Sequence, residues 1–426
     1  MTPRQFRKKY RSDERISTGS FYQAEGVGIH AGEKVGVVLL SLGGPGGRSD
    51  VEDFLYRRWM DPILEPSRIT RGRHYLVRVA ARIGARFLWK DYEQIGGQCP
   101  INRLTREQAA ALQKYLTEKV LPESETGFRT YIAMRYGHPA SEDALAQMKR
   151  NGITRIVLLP LYPQYSIATT GSSLAYWSAM AEAADRKDIP TTAVLEYAGH
   201  PGYIRALNDR IDQALQRFPK RVRSDTHLVF SAEQSALGGH IRNDESFCGH
   251  VRETVRAVMS SRENQNFHVT FFDASDEMGR ALHPDTRLTL QKLVSEGVRS
   301  LLVVPLGIAT DHLWTAYTLD IDLRKEIDEF GVEYYEVAAA LNCHPQFIGA
   351  LGDIVADHLR STSAGYGERG RNVDHVSGME ASNDRTRSGP GCPSCVAPIT
   401  PRDWSGASGD GSRQMIQELA RRNHES

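Results

Sequence analysis

Cysteine is scarce in this chain of 426 residues: there are five, an odd count, scattered at Cys99, Cys248, Cys343, Cys392 and Cys395. That set does not suit a disulfide framework in a chain this long, and a reducing cytoplasm fits it best. Long apolar runs are lacking too. The longest, such as 35–42, fall far short of the roughly 18–20 residues that cross a bilayer, so a soluble protein is expected. The basic N-terminus MTPRQFRKKYRSDER is followed by no apolar stretch, and no export is expected. Net charge is almost absent at +1, which leaves no global field to recruit nucleic acid or a membrane. Any charged partner must be recognised locally. What is present is a 40% hydrophobic chain, long enough for two domains plus extra segments.

The chain also repeats itself. Residues 135–161, RYGHPASEDALAQMKRNGITRIVLLPL, align without a gap on 280–306, RALHPDTRLTLQKLVSEGVRSLLVVPL. The pairs Arg135/Arg280, His138/His283, Pro139/Pro284, Leu145/Leu290, Gly152/Gly297, Pro160/Pro305 and Leu161/Leu306 are identical. A helix-then-strand pattern survives in both copies, which implies two similar units with a working cleft between them.

Strand and helix signals alternate as a doubly wound α/β fold requires. Residues 35–42 read as a buried parallel-type strand that runs into a Gly-rich loop at 43–47. Ser49 and Glu52 form a capping-box pattern opening the helix that carries Phe54, Leu55 and Trp59. Residues 228–230 read as the first strand of the second unit, and 106–119, 144–150 and 288–295 read as helices. From about 361 the chain is rich in Gly, Ser, Asn and Asp and poor in large apolar residues, which predicts disorder as far as CPSC at 392–395 and beyond. The expected division is an extension at 1–33, units at 34–195 and 196–360, and a tail at 361–426.

The loop LPLYPQYSIATTGSS at 159–173 follows a buried strand and brings Tyr162 and Tyr165 together with Thr169, Thr170 and three serines. Loops at the carboxyl ends of parallel strands are where α/β folds bind ligands, and tyrosines with hydroxyl residues suit a flat ring with a polar edge. Together with IGGQCPINRLTREQ at 95–108, MRYGHP at 134–139, LGGP at 42–45, FLYRRWMDP at 54–62 and LNCHPQFIGALGDIV at 341–355, this loop resembles the ferrochelatases, which insert ferrous iron into a porphyrin. The resemblance spans about 35–360. It implies the chelatase fold: two Rossmann-like domains, each with a four-stranded parallel sheet, gripping the macrocycle between them.

The resemblance also implies site residues. For porphyrin contact these are Tyr92, Cys99, Arg135, Tyr162, Tyr165, Thr169, Thr170 and Trp314. The family places a His after the second domain's first strand, where FSAEQSALGG puts Glu233, so Glu233 becomes the candidate base and metal ligand, supported by Asp311, His312 and Asp320. In DHLWTAYTLD, Trp314 and Thr318 stand where the family has two Glu, and Cys99 stands at a family serine. A carboxylate with an ordinary pKa near 4.3 is a weaker base than imidazole near 6.5. CPSC resembles the end of relatives that hold a [2Fe–2S] cluster, but Thr400 and Ile167 replace the other two ligands, so Cys392 and Cys395 read as vestigial and no resident cofactor is expected. Two functions stay open. One is ferrous iron insertion in haem biosynthesis; the other is a catalytically degenerate paralogue that binds porphyrin or haem as carrier, sensor or partner.

On 71–90, His74, Arg78, Arg82, Arg86 and Lys90 recur every four residues beside Leu76, Val79, Ile83 and Phe87. The pattern predicts a helix with one basic stripe, suited to propionates or to a peripheral contact with anionic lipid. His138 and His283 precede prolines and read as groups that satisfy local backbone. Gly43, Gly44, Gly46 and Gly47 lack the GxGxxG spacing of a dinucleotide loop.

Overall fold

Two parallel sheets of four strands each, laid out in the same order, form the body of the protein. The structure is a computed structural model describing residues 5–6, 13–23, 32–64, 72–120, 127–233, 245–264, 266–272 and 284–359. The first sheet runs β2 (Gly127–Met134), β1 (Lys34–Ser41), β3 (Arg155–Pro160), β4 (Thr191–Ala193). The second runs β6 (Phe267–Phe272), β5 (His227–Glu233), β7 (Ser300–Leu306), β8 (Tyr334–Val337). Central strands β1 and β7 are apolar along nearly their whole length because helices cover both faces. The tail from 361, with Cys392, Cys395 and Thr400, lies outside the described residues, as do Arg280 and His283.

The first unit carries α2 (Val51–Trp59), α3 (Arg73–Gln94), α4 (Pro100–Tyr115), α5 (Ser141–Asn151) and α6 (Ser172–Ala183), preceded by the short α1 (Arg15–Thr18). The second carries α7 (Pro201–Leu215), α8 (Glu245–Met259), α9 (Thr286–Ser295), α10 (Leu323–Glu329) and α11 (Pro345–Leu359). The repeat has a structural meaning. In each copy an amide at the end of an outer strand donates to the carbonyl of the repeated proline: Met134 to Pro139 at 2.8 Å, Phe271 to Pro284 at 2.9 Å. Helix α5 or α9 follows, then Gly152 or Gly297 at φ +67° or +95°, the left-handed region that favours glycine, then central strand β3 or β7.

The capping box at Ser49 and Glu52 does not form. Ser49 Oγ donates to Asp50 Oδ1 at 3.0 Å within a 3₁₀ turn at Arg48–Asp50, and α2 begins at Val51 with no side-chain cap. Glu52 is instead drawn to α3, where Arg82 Nε lies 3.3 Å from its carboxylate. His138 likewise meets side chains rather than backbone: its ring nitrogens face Asp143 Oδ2 at 3.3 Å and Arg57 Nη2 at 3.2 Å.

One apolar core runs through both units, taking in Val35, Leu39 and Leu159 from the first sheet and Phe230, Val304 and Leu351 from the second half. Helix α11 crosses from the second unit to pack on α4 as well as α7, with Gly352 seated against the Tyr115 ring. The expected boundary at 195/196 falls just after β4, and residues on both sides of it feed this core. Direct bonds join the sheet ends. Ala309 N donates to Leu161 O at 3.1 Å, Gly307 N to Gln164 Oε1 at 3.2 Å, and Thr310 Oγ1 to Gln108 Oε1 at 2.9 Å.

Candidate functional site

At the carboxyl end of β5, Glu233 points into a slot lined also by Arg58, Leu64, Ser166, Thr169, Phe247 and Ile308, residues of both units. Behind it, His312 Nε2 lies 2.9 Å from Glu233 Oε2, and the ring is only 5% exposed. His312 Nδ1 is 3.2 Å from the Thr310 carbonyl. A carbonyl can only accept, so Nδ1 carries hydrogen, and the contact between Nε2 and the carboxylate then holds one shared proton. Burial pushes the Glu233 carboxyl up, but the hydrogen bond and charge of His312, with Arg58 beyond, outweigh it and leave Glu233 below its ordinary 4.5. With the carboxylate held ionised, the hydrogen of that contact is carried on Nε2 and donated to Glu233.

His312 is fixed by its neighbours. Its amide donates to Thr315 Oγ1 at 3.0 Å, and Asp311 accepts from Asn342 Nδ2 at 2.6 Å and from Ala340 N at 3.2 Å. Asp311 is thus a brace for the loop at Asn342, a residue in the left-handed region at φ +47°, rather than a group facing the slot. Asp320 faces outward in a 2.6 Å ion pair with Arg324 and touches neither Glu233 nor His312. Trp314 opens a π-helical turn (Trp314–Asp322), is buried, and tilts 46° to the His312 ring at 6.1 Å, with Phe272 edge-on at 5.9 Å.

Tyr162 is fully buried between the charges of Arg135 and Glu233, and burial raises its phenol. The hydroxyls of Thr169 and Thr170 and the Trp314 indole N–H are buried without a hydrogen-bond partner among the described residues, while the Tyr162 and Ser173 hydroxyls lie buried beside each other. Buried polar groups are normally paired, so a cluster of unpaired ones beside a slot marks where a ligand's polar atoms would bind. Tyr92 and Cys99 close the apolar side, packed with Tyr162, Ala168, Ile308 and Leu313. Burial pushes the Cys99 thiol up to about 11, against the pull of the Ile101 and Leu313 amides and the Tyr92 phenol, so it is a neutral wall group. The Gly-rich loop serves that wall. Gly43 sits at φ +74°, Asn102 clamps Gly44 through its amide and carbonyl at 3.1 and 2.7 Å, and a Cβ on Gly44 would stand 2.5 Å from Cys99 Sγ.

Two predicted contacts point elsewhere. The Tyr165 hydroxyl donates to Ile16 O at 2.6 Å, and Ile167 is buried in the same core. Arg135 donates to Asp61 Oδ2 at 2.5 Å and to Ser172 Oγ at 2.8 Å, under the Tyr176, Tyr136 and Phe6 rings. It lines a separate cavity of about 220 Å³ with Asp61, Arg57, Arg78, Glu142 and Tyr176. Arg58 is the slot residue that sequence reasoning passed over. The double Arg in FLYRRWMDP was its only signal, since a lone Arg on an amphipathic helix is usually a solvated residue.

The fold and the slot define a two-unit parallel α/β protein with its ligand cleft at the carboxyl ends of both sheets, the place such folds reserve for binding. The chain belongs to the ferrochelatase family. The family model described as Ferrochelatase matches residues 34–359. The ferrochelatase of Geotalea uraniireducens (strain Rf4) is 37% identical over 324 residues, 76% of this chain and 97% of the relative. That of Geotalea daltonii is 35% identical over 323 residues, again 76% and 97%. That of Gloeobacter violaceus is 33% identical over 327 residues, 76% and 98%.

The depressed Glu233 carboxyl fixes a pH dependence. A carboxyl lowered in the folded state adds stability that is present above its unfolded value near 4.5 and lost as pH falls through the lower folded value. At pH 7, Glu233→Gln should cost about 1–3 kcal/mol by urea unfolding. The gap between wild type and variant should shrink as pH drops below about 4.5. A gap that stays constant from pH 7 to pH 3 would show that the pair carries no charge.

Proposed function

We propose that this chain inserts ferrous iron into a porphyrin, using Glu233 and His312 as a pair that exchanges a proton for the metal. The observation that carries this reading is the 2.9 Å contact between His312 Nε2 and a Glu233 carboxylate that lines the slot. Insertion must remove two pyrrole protons from the ring. Held low by His312, Glu233 alone is a poor acceptor for either. Its ionised oxygens are instead suited to ferrous iron, a substrate that loads as the shared proton leaves the pair for solvent. As iron passes into the ring, one pyrrole proton reaches the Glu233 carboxylate and passes to His312 Nε2, restoring the pair. The second pyrrole proton goes to water, so each turnover releases two. Thr169, Thr170, Ser173, Tyr162 and Trp314 supply polar contacts to the macrocycle, while Tyr92 and Cys99 line its apolar side. Asp311 braces the loop at Asn342.

The test is an anaerobic assay with ferrous iron and either protoporphyrin or coproporphyrin, the partners this slot chemistry suits. Wild type should form metalloporphyrin, and His312→Ala should lower kcat by about 10²-fold or more. Turnover equal to a no-protein control refutes the reaction. If the same protein still quenches porphyrin fluorescence saturably, the binding-paralogue reading holds, as the unpaired hydroxyls around the slot would favour.

A peripheral membrane contact is the second element of the proposal, and α3 supports it. Arg78 stacks on Tyr56 at 3.8 Å and lies 3.5 Å from Asp53, and Arg82 turns to Glu52, so part of the basic stripe faces α2. The opposite outcome holds for the apolar residues: Tyr75, Leu76, Val79, Ile83 and Phe87 are 55–70% exposed in one stripe. No helix among the described residues is long and apolar enough to cross a membrane, and a stripe this wide with Arg86 and Lys90 beside it suits the surface of an anionic bilayer. Wild type should sediment with anionic phospholipid vesicles, less so as salt rises, and the double variant Ile83→Asp, Phe87→Asp should stay in the supernatant. Wild type that remains in the supernatant at low salt overturns the contact.

A further inference from the structure

The family match begins at residue 34, yet the residues before it touch the ligand loop. Ile16 is buried in the same core as Tyr165, Ile167 and Leu174, and helix α1 packs on the π-helical turn Ile167–Gly171 and on α6. Three contacts fix this arrangement. The Ile16 carbonyl accepts from the Tyr165 hydroxyl at 2.6 Å. A Cβ on Gly171 would stand 2.6 Å from that same carbonyl, a backbone atom that cannot swing away as a side-chain tip can. Gly19, at φ +71°, lets the chain turn beneath Tyr165 and Leu195, where a Cβ would meet both at about 3 Å.

The segment is anchored at both ends. Gln23 O accepts from Ala193 N and from Thr192 Oγ1, each at 3.0 Å, adding a bridge beside β4 at the edge of the first sheet. Phe6 is 2% exposed, edge-on to Tyr176 at 5.3 Å and under the Arg135 guanidinium at 4.9 Å. Residues 13–19 lie behind the turn that carries Thr169 and Thr170, whose hydroxyls have no partner among the described residues. Ser166 holds the backbone of that turn, its hydroxyl accepting from Ala168 N at 3.2 Å and its carbonyl from Thr169 N at 3.2 Å and Gly171 N at 3.0 Å, but no bond fixes the two threonine hydroxyls among the described residues. Ile16 backs the turn from the other side.

We propose that the N-terminal extension is a brace that sets the Ile167–Gly171 turn for its ligand, and that Tyr165 and Gly171 are positioning residues that act through Ile16. This rests on the reading that the Thr169 and Thr170 side of the slot binds a porphyrin. Tyr165 thereby governs the macrocycle site without touching the macrocycle, and the extension becomes part of the binding machinery.

Gly171 gives the sharpest test. Its backbone is helical, φ −58° and ψ −48°, where Gly→Ala ordinarily stabilises, so any loosening must come from the methyl meeting Ile16 O. The full chain carrying Gly171→Ala, or Tyr165→Phe, is compared with wild type by hydrogen exchange and by titration of porphyrin fluorescence. Faster exchange is expected in both 13–19 and 167–171, with porphyrin bound about fivefold more weakly in Tyr165→Phe and its bound-state emission shifted. Faster exchange confined to 13–19, with binding unchanged, overturns the brace. Exchange is read without ligand, so if wild type binds no porphyrin, the slot reading fails while the exchange pattern still decides the brace.

Discussion

The seam between the carboxyl ends of β3 and β7 is the constraint on which the site depends. Two parallel sheets each bury their strands between helices, and their strand ends would otherwise expose unpaired backbone. Here Leu161, Gln164 and Gln108 on one side bond Ala309, Gly307 and Thr310 on the other. Those bonds set the distance from the Tyr162 loop to His312. They also leave the slot between the units, because each strand end is already committed to its counterpart and cannot fold over the opening. The shared core through α4, α7 and α11 makes the seam rigid, so the slot has walls from both units that do not move independently.

Within that frame the charged groups are arranged in depth. Glu233 meets the slot, His312 stands behind it, and the Thr310 carbonyl closes the line. A buried carboxylate alone would be costly, and its proton would be held rather than exchanged. Paired with an imidazole whose other nitrogen is already engaged, it stays ionised and keeps one proton in reserve. The slot is thus met by a carboxylate, with an imidazole one step back. Trp314 fills the space beside His312 with an apolar ring and a single donor.

Much of the frame was legible in the sequence. The repeat located equivalent helices and central strands, and its Gly and Pro identities correspond to left-handed helix ends and to carbonyls that receive the outer-strand amides. The strand at 228–230 foretold where Glu233 would stand. The pairing of Glu233 with His312, 79 residues apart, was not legible, because which side chains meet beyond the ends of the neighbouring strands β5 and β7 is set by how the loops that follow them pack. Asp311 and Asp320 share a motif with His312 but point elsewhere, Asp311 to the loop at Asn342 before the π-helical turn begins, and Asp320, within that turn, outward to Arg324. The stripe on α3 was legible as a pattern, and its basic groups do stay exposed, with Arg78 and Arg82 reaching Asp53 and Glu52 on α2; what the pattern did not show is that the apolar residues beside them are exposed too. The capping box failed for a related reason, because Glu52 was already taken.

The proposed exchange rests on one proton, held between Glu233 and His312, that leaves for solvent as ferrous iron binds. Anaerobic titration calorimetry of ferrous iron in buffers of different ionisation enthalpy measures that proton directly. At pH 7 wild type should release about one proton per iron bound, and Glu233→Gln, which has no shared proton to lose, should release none. Equal release from both proteins, or none from wild type, would contradict the exchange.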